Sequence, residues 1–261
     1  MKIDHLSASQ IGTYLQCGEL WRRRYALGEK IPPGIALAVG KSVDASVTAN
    51  LTEKMAGRDL MTLEAVADTA RDSMRTIETN ESIWLAPDES TNDVGRAVDK
   101  AIRLSRLHAK ALAPTIVPTA LQRRHEIVVL GVPPTVAITD IEEADGVRDT
   151  KTTGKTPQAD AADRSDQLTT YFWAKRHVGE PAEKLSLDFL VDLSNPVKVT
   201  RETKRNDADI AILMRKIERV TEGIEKEIFL PARADDYRCS PKYCGFHSSC
   251  PLVRRPVTVA F

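Results

Sequence analysis

Near residue 124 the hydrophobic pattern of this chain changes period, and that change limits the available folds more than any other feature. "HEIVVLG" (125–131), "PTVAITDIEE" (134–143) and "GVRDTKTT" (146–153) are short, β-branched and partly alternating, as half-buried strands are. The third is turned from the second around Ala144–Gly146. Helical spacing returns over 160–178, and "KLSLDFLVDL" (184–193) then alternates cleanly, with "PVKVTRE" (196–202) as its pairing partner. A long helix follows, with Ile210, Leu213, Ile217, Val220, Ile224 and Ile228 on one stripe, the period of an amphipathic helix.

Upstream, the spacing predicts helices throughout. Ser7 and Gln10 have capping-box spacing, in which each side chain satisfies the other's backbone N–H. Ile11, Tyr14 and Leu15 continue that first helix. After "IPPG" (31–34), Val39, Val43, Val47 and Leu51 predict a helix from about Gly40, and 60–78 and 93–113 are also amphipathic. The order is therefore helices, a three-strand meander, a helix, two strands, a helix and an irregular tail after Pro231. This is an α/β chain without a linker or low-complexity segment.

Length and composition set outer bounds. With 261 residues, 42% hydrophobic and 28% charged, the composition is that of a soluble globular protein. No apolar run is long enough to span a bilayer. The start, "MKIDHLSASQ", lacks the apolar core of a signal peptide, so the expected compartment is the cytoplasm. Net charge is zero, which counts mildly against a nucleic-acid binder. The clusters "WRRRY" (21–25), "QRRHE" (122–126) and "RETKR" (201–205) fit a solvated face, and they also fit the rim of a phosphate-binding groove.

Chemistry concentrates around the second and third strands. Residues two apart in a strand share a face, so Asp149 and Lys151 project together, and a hairpin would set Asp140 beside them. Carboxylates meeting at one point repel unless a cation lies between them. Mg²⁺ takes one or two carboxylates plus water and phosphate oxygens, and a neighbouring lysine can orient water or stabilise charge on phosphorus. Gln167 and Tyr171 are spaced i, i+4, on one helical face. The plain alternative is chance: a common acid and lysine two apart, and an exposed Gln beside a core Tyr.

The tail reads "CSPKYCGFHSSC", with Cys239, Cys244 and Cys250 in a C-x4-C-x5-C pattern. In a reducing compartment such a cluster is more often metal-binding than disulfide-bonded. Cys17 would complete an all-thiolate set suited to an iron–sulfur cluster. His247 would complete a Cys₃His set suited to zinc.

Taken together, "TD" (139–140), "DTK" (149–151) and "QLTTY" (167–171) resemble motifs II, III and Q-x-x-x-Y of the PD-(D/E)XK nuclease superfamily, closest to its RecB-like exonucleases, including phage-encoded and CRISPR-associated members. The resemblance runs from about Leu6 to Pro251. It implies a mixed central sheet flanked by helices. It also implies divalent-metal ligation by Asp140 and Asp149, a catalytic Lys151, and a supporting role for Gln167 and Tyr171. Relatives carry a histidine ligand in a G-x-x-V-H stretch. The matching "GKSVD" (40–44) places Asp44 there, and a carboxylate also suits Mg²⁺ or Mn²⁺. Asp99, in the echoing "VGRAVD" (94–99), is a rival to Asp44.

"YLQCGELWRRRY" and "CSPKYCGFHSSCP" look like the two halves of the family's cysteine bracket, which implies a [4Fe–4S] cluster on Cys17, Cys239, Cys244 and Cys250, with zinc as the alternative. The expectation is one RecB-like nuclease domain over 1–261, with a core at about 120–230. The cysteine-bearing segments are 6–25 and 231–261. Its function would be metal-dependent DNA exonuclease action on single strands or duplex ends in phage or mobile-element recombination. The alternatives are an inactive DNA-binding adaptor that keeps the fold and a zinc-stabilised interaction protein.

Overall fold

A computed structural model of the chain describes residues 3–253. The end of the expected tail, 254–261, lies outside the described residues. The chain opens with strand β1 (Leu6–Ser7), helices α1 (Ala8–Gln16) and α2 (Gly18–Trp21), and a π-helical turn at Arg22–Ala26. Three long helices follow: α3 (Ile35–Met55), α4 (Leu63–Asn80) and α5 (Thr91–Ala111). Then come β2 (Ala120–Ile127), β3 (Thr135–Glu142), β4 (Gly146–Thr153), α6 (Asp166–His177), β5 (Lys184–Val191), β6 (Val197–Thr203) and α7 (Asp207–Glu225).

The six strands form one mixed sheet. β5 pairs parallel to β4 over the whole length of both strands and antiparallel to β6, and β2 runs antiparallel along β3. β1 pairs parallel with the start of β3, and β4 pairs antiparallel with its end. The parallel β4–β5 pair needs a crossover connection, and α6 supplies it. Helices cover both faces. Val147, Leu185 and Leu187 of the sheet pack with Leu168 and Tyr171 of α6, Ile11 of α1, and Leu213, Ile217, Val220 and Ile224 of α7. Ile141 and Leu190 point the other way, into the core made with Val39, Val43, Val47 and Leu51 of α3, Met74 of α4 and Leu104 of α5. The mixed sheet flanked by helices agrees with the fold expected.

Several boundaries differ from the periodicity. β2 begins at Ala120 and ends at Ile127; Val128 and Leu130 are 63% and 102% exposed, so the apolar run "IVVL" leaves the sheet rather than extending it. α3 starts at Ile35, not near Gly40, because the chain leaves "IPPG" already helical. α6 starts at Asp166, after the N-cap Ser165, whose side chain accepts from the Leu168 N–H. The stretch just before it is a run of turns, with backbone bonds such as Arg164 N–H to the Asp160 carbonyl, and arginines hold it further. Arg205 donates to the carbonyls of Ala162, Asp163 and Ser165, and Arg201 to those of Pro157 and Gln158. α7 ends at Glu225, leaving Ile228 outside it. Only half of the first capping box forms: Ser7 Oγ accepts from the Gln10 N–H at 3.2 Å, whereas the Gln10 side chain donates to the His5 carbonyl.

Candidate active site

Pairing of β3 with β4 stops at Ile141–Arg148. The next pair in that register would be Asp140 and Asp149, and there the strands part. On the other side of β3 the ladder with β2 also skips one position, Gln122 opposite Asp140. Gln122 has φ +48, a left-handed conformation that a non-glycine residue rarely adopts and that marks functional sites when the surroundings hold it. Asp140 thus sits where both of its neighbouring ladders are interrupted.

Three carboxylates lie near enough at this opening to act on one another's charge, without closing into a cage. Asp149 is fully buried. Its Oδ1 accepts from Gln167 Nε2 at 2.8 Å. Lys151 Nζ lies 2.7 Å from its Oδ2, off the direction of a hydrogen bond, so that Oδ2 is a buried oxygen without a donor. Asp140 and Asp44 are close enough to repel it. Burial first, and then the charges of Asp149 and Asp44, hold the Asp140 carboxyl far above the usual carboxylate range. Asp44 is raised by burial and then by Asp149, with Lys151 and Gln122 acting against the shift. Gln122 Nε2 donates to both Asp44 oxygens, at 3.1 and 3.3 Å. Asp99 is exposed on α5 and takes no part.

Helix α6 braces this group. Gln167 accepts from Lys151 Nζ at 2.9 Å through Oε1 and donates to the Tyr171 hydroxyl at 2.6 Å. One amide therefore holds the ammonium, the buried carboxylate and the phenol. Tyr171 is raised by burial and then by the three aspartates, and its hydrogen bond with Gln167 acts against that shift. Further along the same face, Lys175 is paired with the fully buried Glu142 at 2.9 Å, which also receives Thr139 and lies 2.6 Å from His125 Nε2. That buried cluster ties α6 to β3 two residues beyond Asp140. Spacing pairs Asp149 with Lys151 and Gln167 with Tyr171, the family resemblance joins both pairs with Asp140, and the geometry groups all five. Gln122 and the Glu142 cluster were missed, because no local spacing signals them.

The donor set suits a hard divalent cation. Crowded carboxylates, one with a buried oxygen that takes no hydrogen bond, are relieved by positive charge, and oxygen ligands are what Mg²⁺ and Mn²⁺ take. Among the described residues, no group of three or more His, Cys, Asp or Glu side chains is drawn together as a ready metal cage.

The four cysteines are free and half-buried. Backbone contacts carry Cys17 to the tail: the Gly18 N–H donates to the Leu230 carbonyl at 2.7 Å, and Tyr14 Oη to that of Ile228 at 2.5 Å. Gly18 is needed at this approach, since a Cβ there would lie 2.9 Å from the Leu230 nitrogen. Arg23 then reaches Ser249 at 3.0 Å and lies over the Phe246 ring. Burial, followed by the nearness of Cys17, Cys244 and Cys250, pushes the Cys239 thiol up, and Cys244 is raised by burial and by Cys17 and Cys250. Mutually influencing thiols are a donor set that a soft metal centre would relieve. Most of the expected basic clusters serve the fold. Arg22 pairs with Glu19, Arg23 with Glu29, Arg123 with Glu180, and Arg124 with Glu126.

Comparison with known proteins gives an independent reading. The model of the PD-(D/E)XK nuclease superfamily matches residues 5–251. A candidate exonuclease from Eubacterium rectale shares the fold, with a TM-score of 0.59 at 12% identity over 98% of this chain and 91% of its own. A second solved structure, whose name states no function, gives a TM-score of 0.42 at 14% identity, covering 96% of this chain and 88% of its own. No curated protein matches the sequence. Among the described residues no helix is long and apolar enough to cross a membrane.

Proposed function

The chain belongs to the PD-(D/E)XK nuclease superfamily, and from that premise we propose that it is a Mg²⁺- or Mn²⁺-dependent DNA exonuclease working at single-stranded or duplex ends. The observation that carries this reading is the meeting of Asp44, Asp140 and Asp149 with Lys151 at the parting of β3 and β4. The fold neighbour's name, candidate exonuclease, favours action at ends.

In this reading Asp140 and Asp149, with Asp44, would hold the divalent cation. When bound, the cation supplies positive charge to the scissile phosphate and a water of lowered pKa. Lys151, fixed by Asp149 and Gln167, orients the attacking water and meets the charge that develops on phosphorus. Gln167 keeps the lysine and the buried carboxylate in one geometry, and Tyr171 fixes the amide. The four cysteines would hold a [4Fe–4S] cluster joining the first helices to the tail, with zinc as the alternative. Phage or mobile-element recombination is the setting we propose, by analogy with the family alone.

Digestion of end-labelled linear and circular single-stranded DNA, in Mg²⁺ or Mn²⁺, tests the proposal. Wild type should degrade only the linear form, and Lys151→Ala neither. Cleavage of circles would make the protein an endonuclease. Binding without cleavage by wild type would favour an adaptor that keeps the fold. A colourless, zinc-loaded protein would replace the iron–sulfur assignment.

A further inference from the structure

A groove of about 950 Å³ opens at the N-terminal end of α3. Its walls are the loop before α3, the first turns of α3, the connection between α4 and α5, and the tail between two of the cysteines. Cross-ties make these walls a preformed channel. The Trp84 N–H donates to the Pro33 carbonyl at 3.0 Å. Lys41 pairs with Glu81 at 2.9 Å, and Lys242 with Asp88 at 2.5 Å.

Two aromatic side chains line the groove, Trp84 from the α4–α5 connection and Tyr243 from the tail. Tyr243 is 54% exposed, and Trp84 is half-buried. Two of the lining acids are paired with cations, Glu29 with Arg23 and Glu81 with Lys41, while Glu89 accepts from the neutral Ala86 N–H and keeps its charge. Arg24 and Lys30 are exposed lining cations and form no ion pair among the described residues. The groove therefore offers two aromatic side chains, Trp84 packed on Gly34 and Tyr243 edge-on to Tyr237 at 5.1 Å, with Arg24 and Lys30 set against the Glu89 carboxylate. Lys41 in its wall lies three positions before Asp44 on α3, a neighbour on one helical face, so the inner end of the groove stands about one helical turn from the carboxylates.

We propose that this groove is a binding track for single-stranded DNA, with unpaired bases stacking on Trp84 and Tyr243 and the backbone held by Arg24 and Lys30. Stacking platforms beside a cationic track are how proteins hold single strands without reading sequence. A duplex does not satisfy the same surface, since its base faces are already stacked on one another. The proposal rests on the nuclease reading only for what lies at the end of the track.

Binding of labelled oligothymidylate, and of its duplex with oligoadenylate, is measured without added divalent metal and again with Lys151→Ala protein. The single strand should bind more tightly than the duplex, and Lys151→Ala should leave that preference intact. Trp84→Ala and Tyr243→Ala should each weaken single-strand binding by about 5- to 100-fold. Lys30→Gln should make binding less sensitive to salt. Of the three tryptophans, Trp21 and Trp173 are buried, so quenching by oligothymidylate should come from Trp84 and vanish in Trp84→Phe. Unchanged affinity in a folded Tyr243→Ala and Lys30→Gln, equal binding of duplex, or undiminished quenching in Trp84→Phe each overturns the track. Cleavage with an unaltered KM in these variants leaves the nuclease and removes the track. Binding through Trp84 and Tyr243 without any cleavage does the reverse.

Discussion

Gln167 concentrates more of the candidate chemistry than any one charged residue. Its amide contacts Asp149, Lys151 and Tyr171 at once, and a small displacement of a positioned group can cost a large factor in rate. Gln167→Ala is expected to lower kcat on the order of 10²-fold with little change in Tm, read by single-turnover cleavage beside a thermal melt. His108 is a residue of another kind. It is 1% exposed, with neither ring nitrogen hydrogen-bonded. Burial, partly opposed by Asp188 and reinforced by Arg148, lowers its pKa from 6.5 to about 4. Between these values the unfolded chain takes up a proton that the folded chain does not, so this residue's contribution is intact above 6.5 and is lost as pH falls toward 4. The loss between about pH 7 and about pH 5 is about 2 kcal/mol. Urea unfolding at the two pH values should show His108→Leu relieved of that increment; an equal acid loss in wild type and variant would refute the assignment.

At the scale of elements, the seam between α1 and α7 is set by one glycine. A Cβ at Gly223 would lie 2.1 Å from Tyr14 Oη, and that hydroxyl is held by the Ile228 carbonyl while its ring packs edge-on to Trp21 and Phe229. Gly223→Ala should therefore destabilise by about 1–3 kcal/mol, although alanine favours a helix by about 1 kcal/mol over glycine. Tyr14→Phe removes the closest atom and should restore part of the loss, so a double-mutant cycle on the two sites should show positive coupling. Strictly additive losses would place the strain elsewhere. The late start of α6 belongs to the same scale: Ser165 caps the helix, and the turns before it are held partly by their own backbone bonds and partly by Arg201 and Arg205, which lie on β6 and just beyond it.

Across the whole molecule, the ends of the described chain come together. Cys17 follows α1, while Cys239, Cys244 and Cys250 belong to the tail, and contacts at Gly18, Tyr14 and Arg23 bring the two segments side by side. A shared metal centre would close a loop of more than two hundred residues, and tying distant segments restricts the unfolded chain most when the loop is long. On the proposed iron–sulfur assignment, Cys17→Ser and Cys250→Ser should each abolish the visible absorbance and lower Tm more than Lys151→Ala does. Visible absorbance and melting curves of anaerobically purified protein provide the check, and melts equal to wild type would remove the structural role.

What was legible in the sequence is what short-range periodicity carries. Strand alternation sets Asp149 and Lys151 on one face, and the helical repeat aligns Gln167 with Tyr171; neither depends on distant partners. The mixed sheet and the candidate metal ligand at Asp44 were legible only through resemblance to a family. The two-faced core was not legible beforehand, because apolar spacing marks a buried side without saying which neighbour buries it. Gln122 was illegible for a physical reason: its left-handed backbone and its reach to Asp44, seventy-eight positions away, arise only when α3 packs against the broken ladder of β2 and β3. The sequence alone thus determined which side chains share a local face. Only the tertiary structure decided which faces meet, because that choice follows from apolar burial between segments far apart in the chain, which is strong enough to hold three aspartates near one another despite their repulsion.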